Sequence, residues 1–251
     1  AKQLGHNVFV TDSKNLEDMK DAAEKLEKER IKFEFGGHTA HALEKADVVI
    51  ASPGVPPTAQ ILLDAEKKGI PVISELEFAW RQVSNPVIAI TGTNGKTTTT
   101  ALTAHILNNS GRKAVATGNI GTPLSAIVNE LAPETILVVE VSSFQLDRIE
   151  EFAPEVAVIL NVTPDHIGYH GSMENYFLAK LKISSRQSPK NFLILNADDE
   201  QLSRGDINVK ARIMQFSMSP VARGIFSDGG RIKIKFSEQH LEEELMRIDE
   251  L

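Results

Sequence analysis

The stretch AITGTNGKTTTT at residues 89–100 constrains the fold of this chain more than any other feature. An apolar strand runs into a turn that contains Gly92 and Gly95, and a lysine and four threonines follow it. Glycines lack the Cβ that forbids positive φ, so the backbone can curl around an anion. The amides at the start of the next helix then point toward that anion. The order strand, turn, helix therefore predicts an α/β domain with a phosphate-binding loop.

This loop predicts a nucleotide triphosphate site. Lys96 would pair with the β- and γ-phosphate oxygens, and the hydroxyl of Thr97 would bind Mg²⁺. The pattern is a short G-x-x-G-K-T form, because Ile90 stands where the longer motif has a glycine. A tight glycine turn with surface threonines is the alternative, but strand, loop, lysine and helix all agree with nucleotide binding. The residues expected to cradle the nucleotide are Gly92, Thr93, Asn94, Gly95, Lys96, Thr97 and Thr98.

Strands alternate with helices along the chain, which predicts βαβ units and mostly parallel sheets. Asn85-Pro86 is typical of a linker, so we expect a Rossmann-like domain over 1–84 and a P-loop ATPase-type domain over 85–251. The first domain lacks its usual opening strand, the chain begins without methionine, and HLEEELMRIDEL has no closing structure. We therefore interpret the chain as a piece of a longer protein. Asp228-Gly229-Gly230 predicts a hairpin near the end.

Composition narrows the function classes. Hydrophobic residues make up 41% and charged residues 24% of the chain, which is typical of a globular protein. We find no apolar run long enough to span a membrane and no signal peptide. The absence of cysteine excludes disulfides and thiolate metal sites and fits the cytoplasm. With a net charge of −7 and no basic stripe, we expect a cytoplasmic protein without a nucleic-acid or membrane partner.

Polar residues follow three more predicted strands, at the edge where open parallel sheets bind ligands. Glu140 follows four apolar residues, and a carboxylate there needs a metal or an ion-pair partner. Asp165 and His166 end VAVILNVTPDH, where a single histidine is more often structural than a ligand, although a Mg-nucleotide site beside it would favour a ligand role. Asn119 lies in ATGNIG, which a plain turn also explains. From the residues alone, Lys180 in SMENYFLAKLKIS is interpreted as an ordinary solvated helix lysine.

Five strings in chain order resemble the Mur ligase family of peptidoglycan synthesis: TGTNGKTT, GNIG, EVSSFQLD, LNVTPDH and HGSMENYxxAK. The resemblance covers nearly the whole chain. It implies a uridine-nucleotide-binding domain, a central ATPase domain and a third domain that supplies most contacts to the incoming amino acid. Only the first two find a counterpart here. EVSSFQLD together with SPGVP favours the branch of the family that joins D-glutamate to UDP-N-acetylmuramoyl-L-alanine.

The resemblance also implies roles for individual residues, with ATP and Mg²⁺ as cofactors. Thr97 and Glu140 would ligate one Mg²⁺. His166 would ligate a second, positioned by a carbamate on Lys180, and these residues with Lys96 form the implied catalytic set. The implied substrate contacts are Asp12, Ser13, Ser52, Pro53 and Gly54 for the uridine nucleotide, and Asn119, Ser142 and Gln145 around the muramoyl-alanine end and the metals.

The chain departs from the family pattern at DHIGYH, where Gly168 and Tyr169 replace a frequent Asp and Arg. Tyrosine at this place also occurs in a sister ligase. The G-x-H-N-x-x-N segment that helps to hold ATP in the family is missing too. We expect a monomer that binds uridine nucleotide, binds nucleotide triphosphate weakly and turns over poorly. A sister Mur ligase, a folylpolyglutamate-synthase-like ligase and a non-enzymatic P-loop switch remain open as alternatives.

Overall fold

The computed structural model describes residues 1–204, 207–237 and 242–250. The chain divides into two compact units, one formed by Ala1–Ala51 and Val55–Val72 and the other by Ser52–Gly54 and Ile73–Leu251. Both units alternate strands with helices, which confirms the predicted α/β class. The division into functional domains at residue 84/85 stays a prediction.

The first unit contains a parallel pair of strands in which Asp12 lies opposite Phe35. LEDM at 16–19 forms a 3-10 turn directly before the first helix of this unit. A small core of Leu43, Ala51, Ile61, Leu62 and Ala65 packs within this unit. Its elements are β1 (Phe9–Asp12), α1 (Lys20–Lys28), β2 (Lys32–Phe35), β3 (Val49–Ala51) and α2 (Gln60–Lys67), and β4 (Val72–Ser74) leads out of it.

The second unit is built on a nine-stranded sheet. Its helices are α3 (Glu75–Trp80), α4 (Lys96–Asn109), α5 (Leu124–Ile127), α6 (Ser143–Leu146), α7 (Ile167–His170) and α8 (Met173–Leu181). Its strands are β5 (Val87–Thr91), β6 (Ala114–Gly118), β7 (Ile136–Glu140), β8 (Val156–Ile159), β9 (Phe192–Asn196), β10 (Arg212–Ser217), β11 (Gly224–Asp228), β12 (Arg231–Lys235) and β13 (Glu243–Arg247). Their order across the sheet is β13-β12-β11-β10-β9-β8-β5-β7-β6.

Strand direction explains where a ligand site forms. Among the strands that the structure describes in this sheet, all neighbours from β6 across to β11 are parallel, and the pairs β11–β12 and β12–β13 are antiparallel. The carboxyl ends of the central strands therefore share one edge, with Glu140 in register with both Ile90 and Gly118. These strands read as apolar runs because both faces are covered, and Leu137, Val138 and Val139 are fully buried.

Three further features complete the fold. The predicted hairpin at Asp228-Gly229-Gly230 is confirmed by the antiparallel pairing of β11 and β12. β10 and β13 were not predicted, since their segments follow no clear strand pattern. Within the described ranges, no helix has the length and apolar character needed to cross a membrane.

Candidate active site

The predicted phosphate loop lies between the end of β5 at Thr91 and the start of α4 at Lys96. Gly95, with φ 81°, adopts the left-handed conformation that caps the helix without a Cβ penalty. The first amides of a helix lack intrahelical acceptors and lie at its positive end, so they favour an anion. The Lys96 ammonium donates to the carbonyls of Gly92 (3.0 Å) and Thr93 (2.9 Å), which keeps it over the loop.

Glu140 lies beside this loop at the carboxyl end of β7, and its side chain is only 2% exposed. Its Oε2 accepts a hydrogen bond from the Thr97 hydroxyl at 2.8 Å, and its Oε1 accepts one from the side-chain amide of Asn119 at 2.9 Å. The structure thus brings together three residues that the sequence predicted separately. Both donors are neutral, so neither of these contacts is an ion pair.

Gly118 allows the end of β6 to lie very close to the backbone of Glu140 at the end of β7. It has φ 104°, and a Cβ at this position would collide with the backbone carbonyl oxygen of Glu140. The close approach lets the amide of Asn119 donate to that same carbonyl at 2.9 Å. Asn119 is therefore fixed to Glu140 through both backbone and side chain, which a plain turn would not require.

Lys180 is buried, with 1% of its surface exposed, so its interpretation as an ordinary solvated lysine is wrong. Its Nζ donates to the Gly92 carbonyl at 2.9 Å and lies 4.4 Å from the centre of the Tyr176 ring. Burial, aided by the positive charge of Lys96 and opposed by Asp165, lowers the pKa of Lys180 from 10.5 to about 7. A large neutral fraction near pH 7 is what an amine needs to act as a nucleophile toward CO₂.

His166 lies in the turn between β8 and α7, and its side chain is 46% exposed. Its φ of 53° puts a non-glycine residue in the left-handed region, which costs energy and occurs preferentially at functional sites. Asp165 Oδ1 lies 3.4 Å from its Nδ1. Its ring lies near Phe144 and Tyr176, with centroid distances of 4.8 and 6.2 Å.

An aromatic cluster of Phe144, Tyr169, His170 and Tyr176 surrounds this turn, and the sequence predicted no role for it. The His170 ring stacks on Phe144, and its Nε2 lies 3.0 Å from the hydroxyl of buried Ser143. Burial lowers the pKa of His170, which favours the neutral ring. The cluster joins α6, α7 and α8, so Tyr169 at the departure in DHIGYH has a packing role.

The remaining implied substrate residues occupy three places. Ser142 and Gln145 form a capping box at the start of α6, with the amide of Ser142 donating to Gln145 Oε1 at 3.0 Å. Buried Gln145 is thereby engaged within its own helix. In the first unit, Asp12 ends β1 and its carboxylate accepts the Lys14 amide at 2.8 Å, next to exposed Ser13. The exposed segment Ser52–Gly54 follows β3.

The donor set near the loop fits Mg²⁺. In the part of the chain that the structure describes, no three His, Asp or Glu side chains form a metal-binding group by themselves. A Mg²⁺ site for nucleotide chemistry needs only one or two carboxylates besides water and phosphate oxygens. The buried Glu140 carboxylate beside the exposed Thr97 hydroxyl meets that requirement.

Comparison with known proteins identifies the family to which this chain belongs. The family model "Mur ligase middle domain" matches residues 90–248, and "Mur ligase MurD-like, N-terminal domain" matches residues 2–74. The chain is 39% identical over 251 residues to UDP-N-acetylmuramoylalanine--D-glutamate ligase of Acidobacterium capsulatum, covering 100% of this chain and 54% of that protein. It is 38% identical over 248 residues to the ligase of the same name from Pelotomaculum thermopropionicum, covering 98% and 54%. The chain spans about half the length of these curated relatives.

A solved structure shows the same fold. The UDP-N-acetylmuramate:L-alanyl-gamma-D-glutamyl-meso-diaminopimelate ligase from Neisseria meningitides superimposes with a TM-score of 0.58 at 19% identity, covering 95% of this chain and 79% of that one. The middle-domain match alone extends over more than half of the chain and includes the phosphate loop, Glu140, His166 and Lys180. The chain belongs to the Mur ligase family.

Proposed function

We propose that this chain carries the ATP site and the carboxylate-activating site of a ligase that joins D-glutamate to UDP-N-acetylmuramoyl-L-alanine. The observation that carries the proposal is the convergence of Thr97 and Asn119 on buried Glu140, beside the loop that holds Lys96. Lys180 reaches the same loop through Gly92. The names of the relatives support D-glutamate as the amino acid.

The residues of the loop would hold ATP through its phosphates. The backbone amides at the start of α4 and the Lys96 ammonium supply donors and positive charge for the β- and γ-phosphates. Thr97 and Glu140 would hold one Mg²⁺, and His166 with a carbamate on Lys180 would hold the second. Bound Mg²⁺ would neutralise phosphate charge and so reduce the repulsion between two anionic reactants.

The proposed reaction forms an amide in two steps. A carboxylate oxygen of the L-alanyl group attacks the γ-phosphorus, the bond from that phosphorus to the β-γ bridging oxygen breaks, and ADP leaves. The D-glutamate amine then attacks the carbonyl carbon of the acyl phosphate, inorganic phosphate leaves, and the amine gives up a proton. This chain would contribute positioning and charge, because neither step requires a nucleophilic side chain of the protein.

Lys180 has the properties that carbamate formation requires. Its amine is buried, its pKa is lowered to about 7, and its Nζ lies at the phosphate loop. Addition of CO₂ turns a buried amine into an anion and releases a proton. That anion would suit a metal ion, whereas the cation would oppose it.

For the uridine nucleotide, we propose Asp12 and Ser13 at the end of β1 as contact residues. We propose the Ser52–Gly54 segment after β3 as a second, separate set of contact residues. The carboxyl ends of parallel strands are where α/β sheets bind such ligands. Ser142 and Asn119 would face the muramoyl-alanine end. Gln145 would act indirectly, by fixing the start of α6.

A two-part experiment tests the proposal. Calorimetry on the 251-residue chain should show ATP binding that strengthens with Mg²⁺. The protein as its gene encodes it should form ADP only when UDP-N-acetylmuramoyl-L-alanine and D-glutamate are both present. A sister ligase would use another amino acid, so other amino acids should be offered in parallel. Faster ADP formation with any of them would replace D-glutamate in the proposal.

A further inference from the structure

Asn161 is hydrogen-bonded through its side chain to the phosphate loop. It follows β8 in LNVTPDH, where its side chain reaches a loop 67 residues away in sequence. Its Oδ1 accepts the backbone amides of Thr93 (3.0 Å) and Asn94 (2.8 Å), and its Nδ2 donates to the Asn94 carbonyl (3.0 Å). A single side-chain amide thus pairs with both polar groups of the Asn94 backbone.

A second set of hydrogen bonds joins the phosphate loop to Thr163. The Thr93 hydroxyl donates to the Thr163 carbonyl at 3.2 Å and accepts the Thr163 amide at 3.1 Å. The amide of Thr93 also donates to the Asn161 carbonyl at 3.0 Å. The phosphate loop is therefore joined to residues 161–163 by side chains as well as by backbone.

The far side of this segment is anchored to the end of β9. Asn196 Nδ2 donates to the Leu160 carbonyl at 3.0 Å, and Asp199 Oδ2 accepts the Val162 amide at 2.9 Å. Asn161 therefore projects from a segment that is fixed at the residues before and after it. A side chain held in this way can impose a conformation on a neighbouring loop.

A loop bounded by Gly92 and Gly95 needs such support, because glycines leave the backbone many conformations to lose on binding. We propose that Asn161 is a positioning residue that holds residues 93 and 94 in the phosphate-accepting conformation and so sets the affinity for nucleotide. This inference rests on the proposed function of the loop as an ATP site. Asn161 does not itself donate to phosphate here, since its amide group is engaged with the loop backbone.

The first test variant is N161A, with N109A at an exposed position of α4 as the matched control. Within the described residues, the Asn94 backbone amide has no acceptor other than the Asn161 side chain. Its hydrogen exchange, followed by NMR, should therefore accelerate about tenfold or more in N161A. The Thr93 amide should change less, because it keeps the Asn161 carbonyl as acceptor. The Kd values for ATP and ADP should both rise about tenfold, while N109A stays at the wild-type values.

The second variant, N161D, separates the acceptor from the donor. It keeps an acceptor for both loop amides but loses the donor to the Asn94 carbonyl. It also places a carboxylate near the phosphates. Exchange at Asn94 should remain slow in N161D, while ATP affinity falls and recovers partly at high salt, because salt screens the added repulsion. N161D also keeps the proposal testable if N161A fails to fold.

Three results would count against the inference in different ways. Wild-type exchange at Asn94 in N161A would show that the contact does not order the loop. Faster exchange with unchanged Kd values would show that the contact is only structural. If N161A fails to fold, fast exchange at Asn94 in N161D together with wild-type ATP affinity at high salt would overturn it, because a loop without this support would then bind ATP as well as a supported one. By contrast, a wild-type chain that binds no ATP at all would overturn the proposed function itself.

Discussion

The hydroxyl of Thr97 donates a 2.8 Å hydrogen bond to the buried carboxylate of Glu140, which lies 43 residues further along the chain. The contact joins the first turn of α4 to the end of β7. It exists because parallel strands bring their carboxyl ends to one edge, where the helix after β5 also begins. The helix start of the proposed phosphate loop and a buried carboxylate thereby lie side by side.

Replacement of Glu140 tests this pair. E140Q keeps the shape of the side chain and an acceptor for Thr97 but removes the charge. We expect ATP affinity in the presence of Mg²⁺ to fall at least about tenfold, with little change in the absence of Mg²⁺. Calorimetry with and without Mg²⁺ measures both values, and exposed E130Q serves as the control. Equal losses under both conditions would argue against a metal at Glu140.

Lys180 predicts a dependence of stability on pH. Its pKa is about 7 in the folded chain and 10.5 as the ordinary value. Between these values the unfolded chain binds more protons, so the free energy of unfolding should rise with pH, by at most about 1.4 kcal/mol per pH unit. K180M removes this contribution, and K190M at an exposed position should keep it. Urea unfolding in CO₂-free buffer from pH 7 upward, which keeps Lys180 as the free amine, measures the slopes, and identical slopes in wild type and K180M would contradict the assignment.

Gly118 predicts a local steric requirement. In G118A the new Cβ would meet the Glu140 carbonyl oxygen, so the end of β6 must shift and carry Asn119 with it. We expect a loss of about 1–3 kcal/mol in the free energy of unfolding, together with weaker Mg²⁺-ATP binding. Gly121, at φ 56° with open space around its Cβ position, provides the control G121A. That variant should lose some stability but keep its nucleotide affinity; equal losses of affinity in both would refute the steric argument.

Replacement of Glu77 should change the stability of the fold only. Its fully buried carboxylate accepts the backbone amides of Glu150, Glu151 and Phe152 as well as Nε of Arg81. In E77Q an NH₂ group must face these donors, and we expect a loss of about 2–4 kcal/mol by urea unfolding. E150Q removes only one exposed carboxylate partner of Arg81 and should cost less than about 1 kcal/mol. A loss in E77Q as small as in E150Q would contradict this role.

The sequence predicted those parts of the site that are formed by short stretches of consecutive residues. The phosphate loop, the strand ends at Glu140 and His166 and the parallel sheet follow from local patterns, because strand, turn and helix signals are short-range. Local patterns did not predict that Lys180 is buried, since its helix carries apolar and charged residues at ambiguous positions. The resemblance of SMENYFLAK to a family motif was the signal that singled it out.

The motif LNVTPDH does not indicate that Asn161 binds the phosphate loop. Its partners are backbone groups of residues 93 and 94, and nothing in a sequence indicates which backbone a distant side chain will bind. Ser143 and His170 were missed for a related reason, because their contact depends on how α6 packs against α7. In each case the identity of the residue is visible, but its partner is set by tertiary structure.

The central claim is that the γ-phosphate of ATP is transferred to a carboxylate and not to water. Transfer of ¹⁸O tests it most directly, with UDP-N-acetylmuramoyl-L-alanine labelled in its carboxylate, D-glutamate and the protein as its gene encodes it. We expect each turnover to move one ¹⁸O from the carboxylate into inorganic phosphate, detected by the ³¹P chemical shift. Phosphate that carries no ¹⁸O while ADP accumulates would show that the γ-phosphate goes to water instead.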